Sequence, residues 1–203
     1  MEPLYKNMKG FLRVTGGKKL KSPFGVIARP TTSRVREAVM NILRDKLQGC
    51  NWLDLFSGSG VMGCEALQKG AKIVISVERD RKTARICKEN LISISKNISN
   101  KNQVEVIQDD VLKFLQKGTH QLNPSIFSSD ITFDIVYVDP PYTNQNIYLK
   151  VLEELKKGSW VKKGSIVICE YSSKMNFNID HPWVALDKRI YGISSLILLS
   201  LQK

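Results

Sequence analysis

A doubly wound α/β sheet, mostly parallel and ending in an antiparallel hairpin edge, is the architecture this chain predicts. Three observations carry the prediction. From Asn51 onward, short apolar runs alternate with stretches of helical periodicity, the pattern of a parallel sheet covered on both faces. A glycine-rich turn, Gly58-Ser59-Gly60 followed by Gly63, falls where the first of these runs passes into a helical stretch. The last two apolar runs meet through Tyr191-Gly192 with no helix between them, so they close the sheet as a hairpin.

The elements follow in order. Residues 1–30 read as a basic N-terminal extension and 31–203 as the doubly wound domain, together one compact unit. Within 9–29, short apolar stretches are punctuated by Gly16-Gly17, Pro23 and Gly25, which suggests one or two short strands in a hairpin-like arrangement. Thr31-Thr32-Ser33 then offers hydroxyls to cap a helix. That helix carries Val35, Ala38, Val39, Ile42, Leu43 and Leu47 on one apolar face, leaving Arg34, Arg36 and Arg44 to the others. Strands are expected at Trp52–Phe56, Lys72–Val77, Val104–Ile107, Phe133–Val138 and Ser165–Glu170, with the closing pair at Trp183–Lys188 and Ser194–Leu201. The intervening helices fall at Val61–Lys69, Asp80–Ile94, Val111–Gln116 and Ile147–Leu155, and Gly118–Asp130 reads as a loop.

Composition bounds the function. With 203 residues, 42% hydrophobic and 25% charged, the chain suits one sizeable core. No apolar run approaches the ~18 residues that span a bilayer, and Met1–Phe11 lacks the apolar segment of a signal peptide. Cys50, Cys64, Cys87 and Cys169 lie far apart with no CxxC pair, which favours reduced thiols in the cytoplasm over a metal site. Only His120 and His181 are present, so chemistry built on a histidine base is poorly supplied.

The formal charge of +12 is unevenly spread. Residues 1–50 hold eleven Lys/Arg against three acids, a local net of +8, and no acid occurs between Lys9 and Arg36. Such a run is either a solvated face or a polyphosphate footprint that gains affinity by releasing counterions. On the second reading the candidate RNA contacts are Arg13, Lys18, Lys19, Arg29, Arg34 and Arg36.

Gly58, Gly60 and Gly63 spell GxGxxG in a strand-turn-helix context, where glycine lets a ligand approach the backbone closely. Two acids decide which ligand. Asp54 stands four residues before Gly58, where a carboxylate would repel a pyrophosphate but suits the ammonium and sulfonium of S-adenosylmethionine. Glu78 ends the next strand, 20 residues after Gly58, and is placed to accept hydrogen bonds from ribose hydroxyls. After the third strand, Asp110 is the candidate for the adenine amino group, although Asp109-Asp110 also suits a pair of solvated loop acids. The cofactor-binding set is therefore Asp54, Gly58, Gly60, Glu78 and Asp110, with no metal.

Asp139-Pro140-Pro141-Tyr142 follows directly on Phe133–Val138 and so faces the same crevice as Gly58. Prolines often just end strands. Here, however, a carboxylate, two rigid prolines and an aromatic ring match one chemical task, methylation of an aromatic amine whose lone pair is delocalised. The Asp139 side chain and the Pro140 carbonyl accept its two N–H bonds, favouring a pyramidal nitrogen aimed at the methyl donor. Proline presets the carbonyl. Tyr142 offers a face for an extruded base, stacking being worth about 1–3 kcal/mol. In-line transfer at about 3–3.5 Å needs neither a metal nor a histidine base.

Arg29-Pro-Thr-Thr-Ser-Arg-Val-Arg-Glu37, with DLFSGSGVMGCEAL from Asp54 and VERD from Val77, resembles the RsmD family of bacterial 16S rRNA guanine-N2 methyltransferases. The resemblance spans Arg13 to about Leu199. It implies the class I methyltransferase Rossmann-like fold, S-adenosylmethionine as donor, and 16S rRNA within an assembling small ribosomal subunit as substrate. It further implies that Asp139–Tyr142 hold the guanine amine and that the basic extension grips RNA. With dispersed cysteines and nothing that resembles a coiled coil, the expected state is a cytoplasmic monomer. Ser33 stands where the family commonly has Asp, and Tyr142 where Phe is frequent. The alternatives are a DNA adenine-N6 methyltransferase, which shares both motifs but lacks room here for a sequence-reading domain, and a catalytically silent RNA-binding assembly protein. An NAD oxidoreductase ranks last for want of an acid or base.

Overall fold

The computed structural model describes residues 12–22, 31–96, 98, 102–119, 122, 124, 127, 131–141 and 146–202. Seven strands form one sheet: β3 (Asn51–Leu55), β4 (Ile73–Glu78), β5 (Gln103–Gln108), β6 (Phe133–Val138), β7 (Val161–Ser172), β8 (Trp183–Tyr191) and β9 (Ser194–Leu201). Their order is β5-β4-β3-β6-β7-β9-β8, parallel from β5 through β7, with β9 antiparallel to both its neighbours. The order reverses on either side of β3, the topological switch point where α/β sheets bind ligands. The expected class I methyltransferase fold with an antiparallel hairpin edge is what the chain adopts.

The strands sort their side chains between two apolar layers. On one face, Leu53, Leu55, Val136 and Val138 pack with helices α5 (Val111–Gln116) and α6 (Asn146–Lys157). Leu122 and Phe127, in the stretch that reads as a loop, are buried in this layer, so part of that loop is core. On the other face, Trp52, Ile135 and Tyr137 pack with helices α3 (Val61–Gln68) and α4 (Arg81–Ser95). Helices α1 (Ser33–Ile42) and α2 (Arg44–Leu47) extend that second layer.

Near the N-terminus, β1 (Leu12–Arg13) and β2 (Lys19–Leu20) pair antiparallel around Gly16-Gly17, both at positive φ, as the hairpin pattern requires. The first helix breaks at Leu43, yet Val35, Val39, Leu43 and Leu47 of its predicted face are buried. Arg36 and Met40 are buried with them, so Arg36 turns into the protein. Of the three hydroxyls offered as caps, that of Thr32 serves, accepting from Val35 N at 3.3 Å, and Ser33 is the first helical residue.

Trp160 joins α5 to the sheet. It is wholly buried, its Nε1 donates to Leu115 O at 3.0 Å, and its ring lies 4.8 Å from Phe114 and 6.0 Å from Phe133. Trp160→Ala is expected to lower stability by about 3–5 kcal/mol, read as a shifted urea midpoint; an unmoved midpoint would show that this layer does not depend on the indole.

Candidate active site

Asp54, Glu78 and Asp139 come from three adjacent parallel strands. Leu55 pairs with Val77 of β4 and Val138 of β6, so the acids converge on one carboxyl edge of the sheet. Asp54 is buried and its Oδ2 accepts from Gly63 N at 3.2 Å. Burial pushes its carboxyl up to about 7; the Gly63 amide opposes the rise and the Glu78 charge adds to it.

The turn between Asp54 and α3 is built from unusual backbone. Phe56 adopts φ 62°, a left-handed conformation that costs a non-glycine residue of order 1–3 kcal/mol and that clusters at functional sites. Gly60 sits at φ 76°, and a Cβ there would lie 2.6 Å from Cys87 Sγ. Glycine there lets the turn pack directly on α4, whereas at Gly58, φ 52°, a Cβ would meet nothing within 4 Å and the backbone is open.

Glu78 is held by two backbone amides: Gly58 N donates to Oε2 at 2.9 Å and Asp80 N to Oε1 at 2.8 Å. Each carboxylate oxygen keeps further acceptor capacity, so the group is oriented without being used up. Asp110 caps α5, its Oδ1 accepting from Leu112 N at 3.0 Å and Lys113 N at 3.3 Å. Asp109, in contrast, pairs with Lys117, which holds its carboxyl below the usual range. Both loop acids accept backbone amides, Asp109 Oδ1 from Asp110 N at 2.8 Å, but Asp109 is also engaged by a cation.

Asp139 follows β6 at intermediate exposure, with Pro140 buried and Pro141 exposed beside it. Its Oδ2 accepts from the Thr31 hydroxyl at 3.4 Å. Tyr142 and Arg29 lie outside the described residues.

Among the predicted RNA contacts, Arg13, Lys19 and Arg34 are exposed and Lys18 is half-buried, its Nζ donating to Ser93 O. Arg36 is corrected. Its guanidinium is buried, donating to Glu65 Oε1 at 3.3 Å, Thr31 O at 2.9 Å and Arg13 O at 2.7 Å. A buried Arg already paired with a carboxylate and two carbonyls is not a phosphate contact.

Three residues escaped the sequence reading. Glu65, wholly buried on α3, accepts from Thr15 N and from Arg36. Asn90, buried on α4, binds Ser59 O in the glycine turn and both backbone groups of Lys21. A lone amide on the apolar face of that helix was the available signal. Thr31 is the third. Asn90 and Ser93 seat the hairpin on α4, and Glu89 of that helix pairs with both Lys21 of the hairpin and the exposed Arg85, so Arg85 lies beside the hairpin.

A carboxyl edge that brings a buried acid, an amide-held acid and a side-chain-free glycine turn together defines a class I S-adenosylmethionine-dependent methyltransferase. Residues 12–200 match the family model described as Conserved hypothetical protein 95. The chain belongs to that family, which is the RsmD family. It is 30% identical over 193 residues to "Ribosomal RNA small subunit methyltransferase D" of Haemophilus influenzae, covering 93% of each chain. To the protein of the same name from Buchnera aphidicola it is 31% identical over 162 residues, covering 80% of this chain and 76% of that one. The solved structure of Escherichia coli yhhF superposes with a TM-score of 0.77 at 27% identity, covering 95% of this chain and 99% of that chain.

The raised Asp54 carboxyl makes cofactor affinity depend on pH. A cationic ligand selects the ionised acid, so protonation competes with binding below about pH 7. The dissociation constant for S-adenosylmethionine is expected to rise as pH falls through 7, approaching about tenfold per pH unit at the limit. Calorimetric titration from pH 8 to 5.5 reads this directly; the same pH dependence in Asp54→Asn would remove Asp54 as its source.

Proposed function

We propose that this chain methylates the exocyclic N2 of a guanine in 16S rRNA, with S-adenosylmethionine as donor. One observation carries the reading: Asp139 and Pro140 leave β6 on the strand next to the one that delivers Asp54 and the glycine turn. The amine-holding motif and the cofactor turn therefore share one crevice.

When bound, S-adenosylmethionine supplies an electrophilic sulfonium methyl. Asp54 and the glycine turn, with its open backbone at Gly58 and its tight packing at Gly60, suit its methionine end, Glu78 its ribose, and Asp110 its adenine. The buried carboxyl of Asp54 fits a cation better than any neutral or anionic group. Asp139 accepts one N–H of the guanine amine and the Pro140 carbonyl the other, which frees the nitrogen lone pair from conjugation with the base. Asp139 or water takes the proton that the methylated nitrogen gives up. Tyr142 is assigned the stacking face for the extruded base.

The hairpin and α4 are assigned the RNA-facing surface, with Arg13, Lys18 and Lys19 joined by Arg85; Arg34 of α1 and Arg29 are assigned RNA contacts as well. The hairpin's bonds to α3 and α4 support residues 1–30 and 31–203 acting as one unit. The relatives' name supports small-subunit ribosomal RNA as substrate, and the proposal extends this to RNA of an assembling subunit. The enzyme is proposed to act as a monomer in the cytoplasm; among the described residues no helix is long and apolar enough to cross a membrane.

Labelled S-adenosylmethionine with small subunits from cells lacking the enzyme should yield labelled N2-methylguanosine after digestion of the RNA. Label in N6-methyladenine of supplied DNA would move the assignment to that amine, and no transfer with tight RNA binding would mark an assembly protein. Asp139→Ala is expected to keep cofactor affinity within about twofold while turnover drops by at least roughly a hundredfold; comparable loss of both would point to misfolding.

Reversing Lys18, Lys19 and Arg85 together should weaken RNA binding and flatten its dependence on salt, by about one slope unit for each phosphate that is no longer neutralised. An unmoved slope would make this surface a solubilising face.

A further inference from the structure

The polar network behind Asp139 reaches from the hairpin to the catalytic acid. Glu65 accepts from Thr15 N at 2.9 and 3.1 Å and from Arg36 Nε at 3.3 Å. Arg36 Nη2 donates to Arg13 O at 2.7 Å and Nη1 to Thr31 O at 2.9 Å. Thr31 Oγ1 closes the path on Asp139 Oδ2 at 3.4 Å. Glu65 is wholly buried, and Arg36 and Thr31 nearly so.

Each link restrains the next. The planar guanidinium directs its donors in a fixed fork, so a carboxylate on one side and two carbonyls on the other define its position. Pinning the Thr31 carbonyl sets the backbone from which its β-branched side chain leaves, and that side chain has few rotamers to choose from. An aspartate's terminal torsion is broad by comparison. A donor on one of its oxygens restrains that torsion and helps aim the carboxylate.

We propose that Thr31 is a positioning residue for Asp139, held in place by the buried Arg36–Glu65 pair, so that the hairpin and the acid move as one body. The inference rests on Asp139 holding the amine, as assigned above. It gives the Thr31-Thr32-Ser33 run a division of labour: Thr32 caps α1 while Thr31 faces the site. It also accounts for a buried ion pair at a distance from solvent, where a pair of apolar residues would be no less stable.

The test compares Thr31→Val, which deletes the hydroxyl at nearly constant shape, with Thr31→Ser, which keeps it. Both are assayed for melting temperature, S-adenosylmethionine affinity, KM for the RNA substrate, and kcat. Thr31→Val is expected to lower kcat by about ten- to a hundredfold, the scale on which small misplacements act, with cofactor affinity and KM within about twofold. Thr31→Ser should recover most of that loss. Wild-type kcat in Thr31→Val would overturn the inference. So would a loss confined to cofactor affinity, which would put Thr31 in the cofactor site, or an equal loss in Thr31→Ser with a lowered melting temperature. Asp139→Ala in the same assays separates the two levels. If it retains turnover, the amine-holding assignment fails; if it is inactive while Thr31→Val turns over normally, only the positioning role fails.

Discussion

Parallel pairing of β3 between β4 and β6 is the constraint on which the rest of the molecule turns. It forces three strand ends, and the acids they carry, to one edge of the sheet. Burial at that edge is what chiefly raises the Asp54 carboxyl, with the Glu78 charge adding to it, and the Tyr137 hydroxyl beside it is pushed up by burial and by Glu170, Asp139 and Asp54. That edge is electrostatically incomplete without a positive charge. A cationic cofactor supplies one, and the same field disfavours the pyrophosphate that GxGxxG turns accept elsewhere.

Around this edge the protein places polar groups where apolar ones would give equal stability. Glu170 accepts from the Tyr137 and Ser194 hydroxyls at 2.6 and 2.8 Å, deep in the sheet between β6, β7 and β9. Glu65 and Arg36 do the same between the hairpin, α1 and α3. Buried ionic groups add little net stability, but losing one partner is costly, so such networks tolerate few alternative arrangements. What they contribute is direction. Tyr137 is two residues before Asp139, and Thr31 touches it, so both networks bear on the same strand end.

The sheet and its helices were legible because their signals are local. Val111–Gln116, Phe133–Val138 and Ser194–Leu201 fall where periodicity puts them, and Gly60 stands where no Cβ would fit. Arg36 was misread for an instructive reason. A helical wheel assigns a charged residue to the solvent face, and nothing near it in sequence reveals that Glu65, 29 residues on, waits in the opposing helix. Thr31 is illegible in the same way, its partner being an acid 108 residues away, and the lone amide of Asn90 marks the residue without revealing its partner, a turn 31 residues away. The basic surface was counted along the chain as a property of the first fifty residues. In space the hairpin lies on α4, so the charges that matter together are not contiguous.

Chemistry and positioning therefore draw on different information. The groups proposed to touch the cofactor and the amine sit on short motifs at strand ends, because a turn can place them regardless of what lies behind it. The groups that aim them come from helices and a hairpin far away in sequence, because only the packed fold can immobilise them. An enzyme that works on a base extruded from RNA needs both scales at once. Its grip on the backbone and its hold on the amine must keep a fixed separation, since an error of about 1 Å between them is costly in rate. A rigid polar path from Thr15 and Arg13 in the hairpin to Asp139 at the strand end meets that requirement more directly than apolar contact. Packed hydrocarbon resists compression but not sliding or rotation, whereas each hydrogen bond fixes a direction.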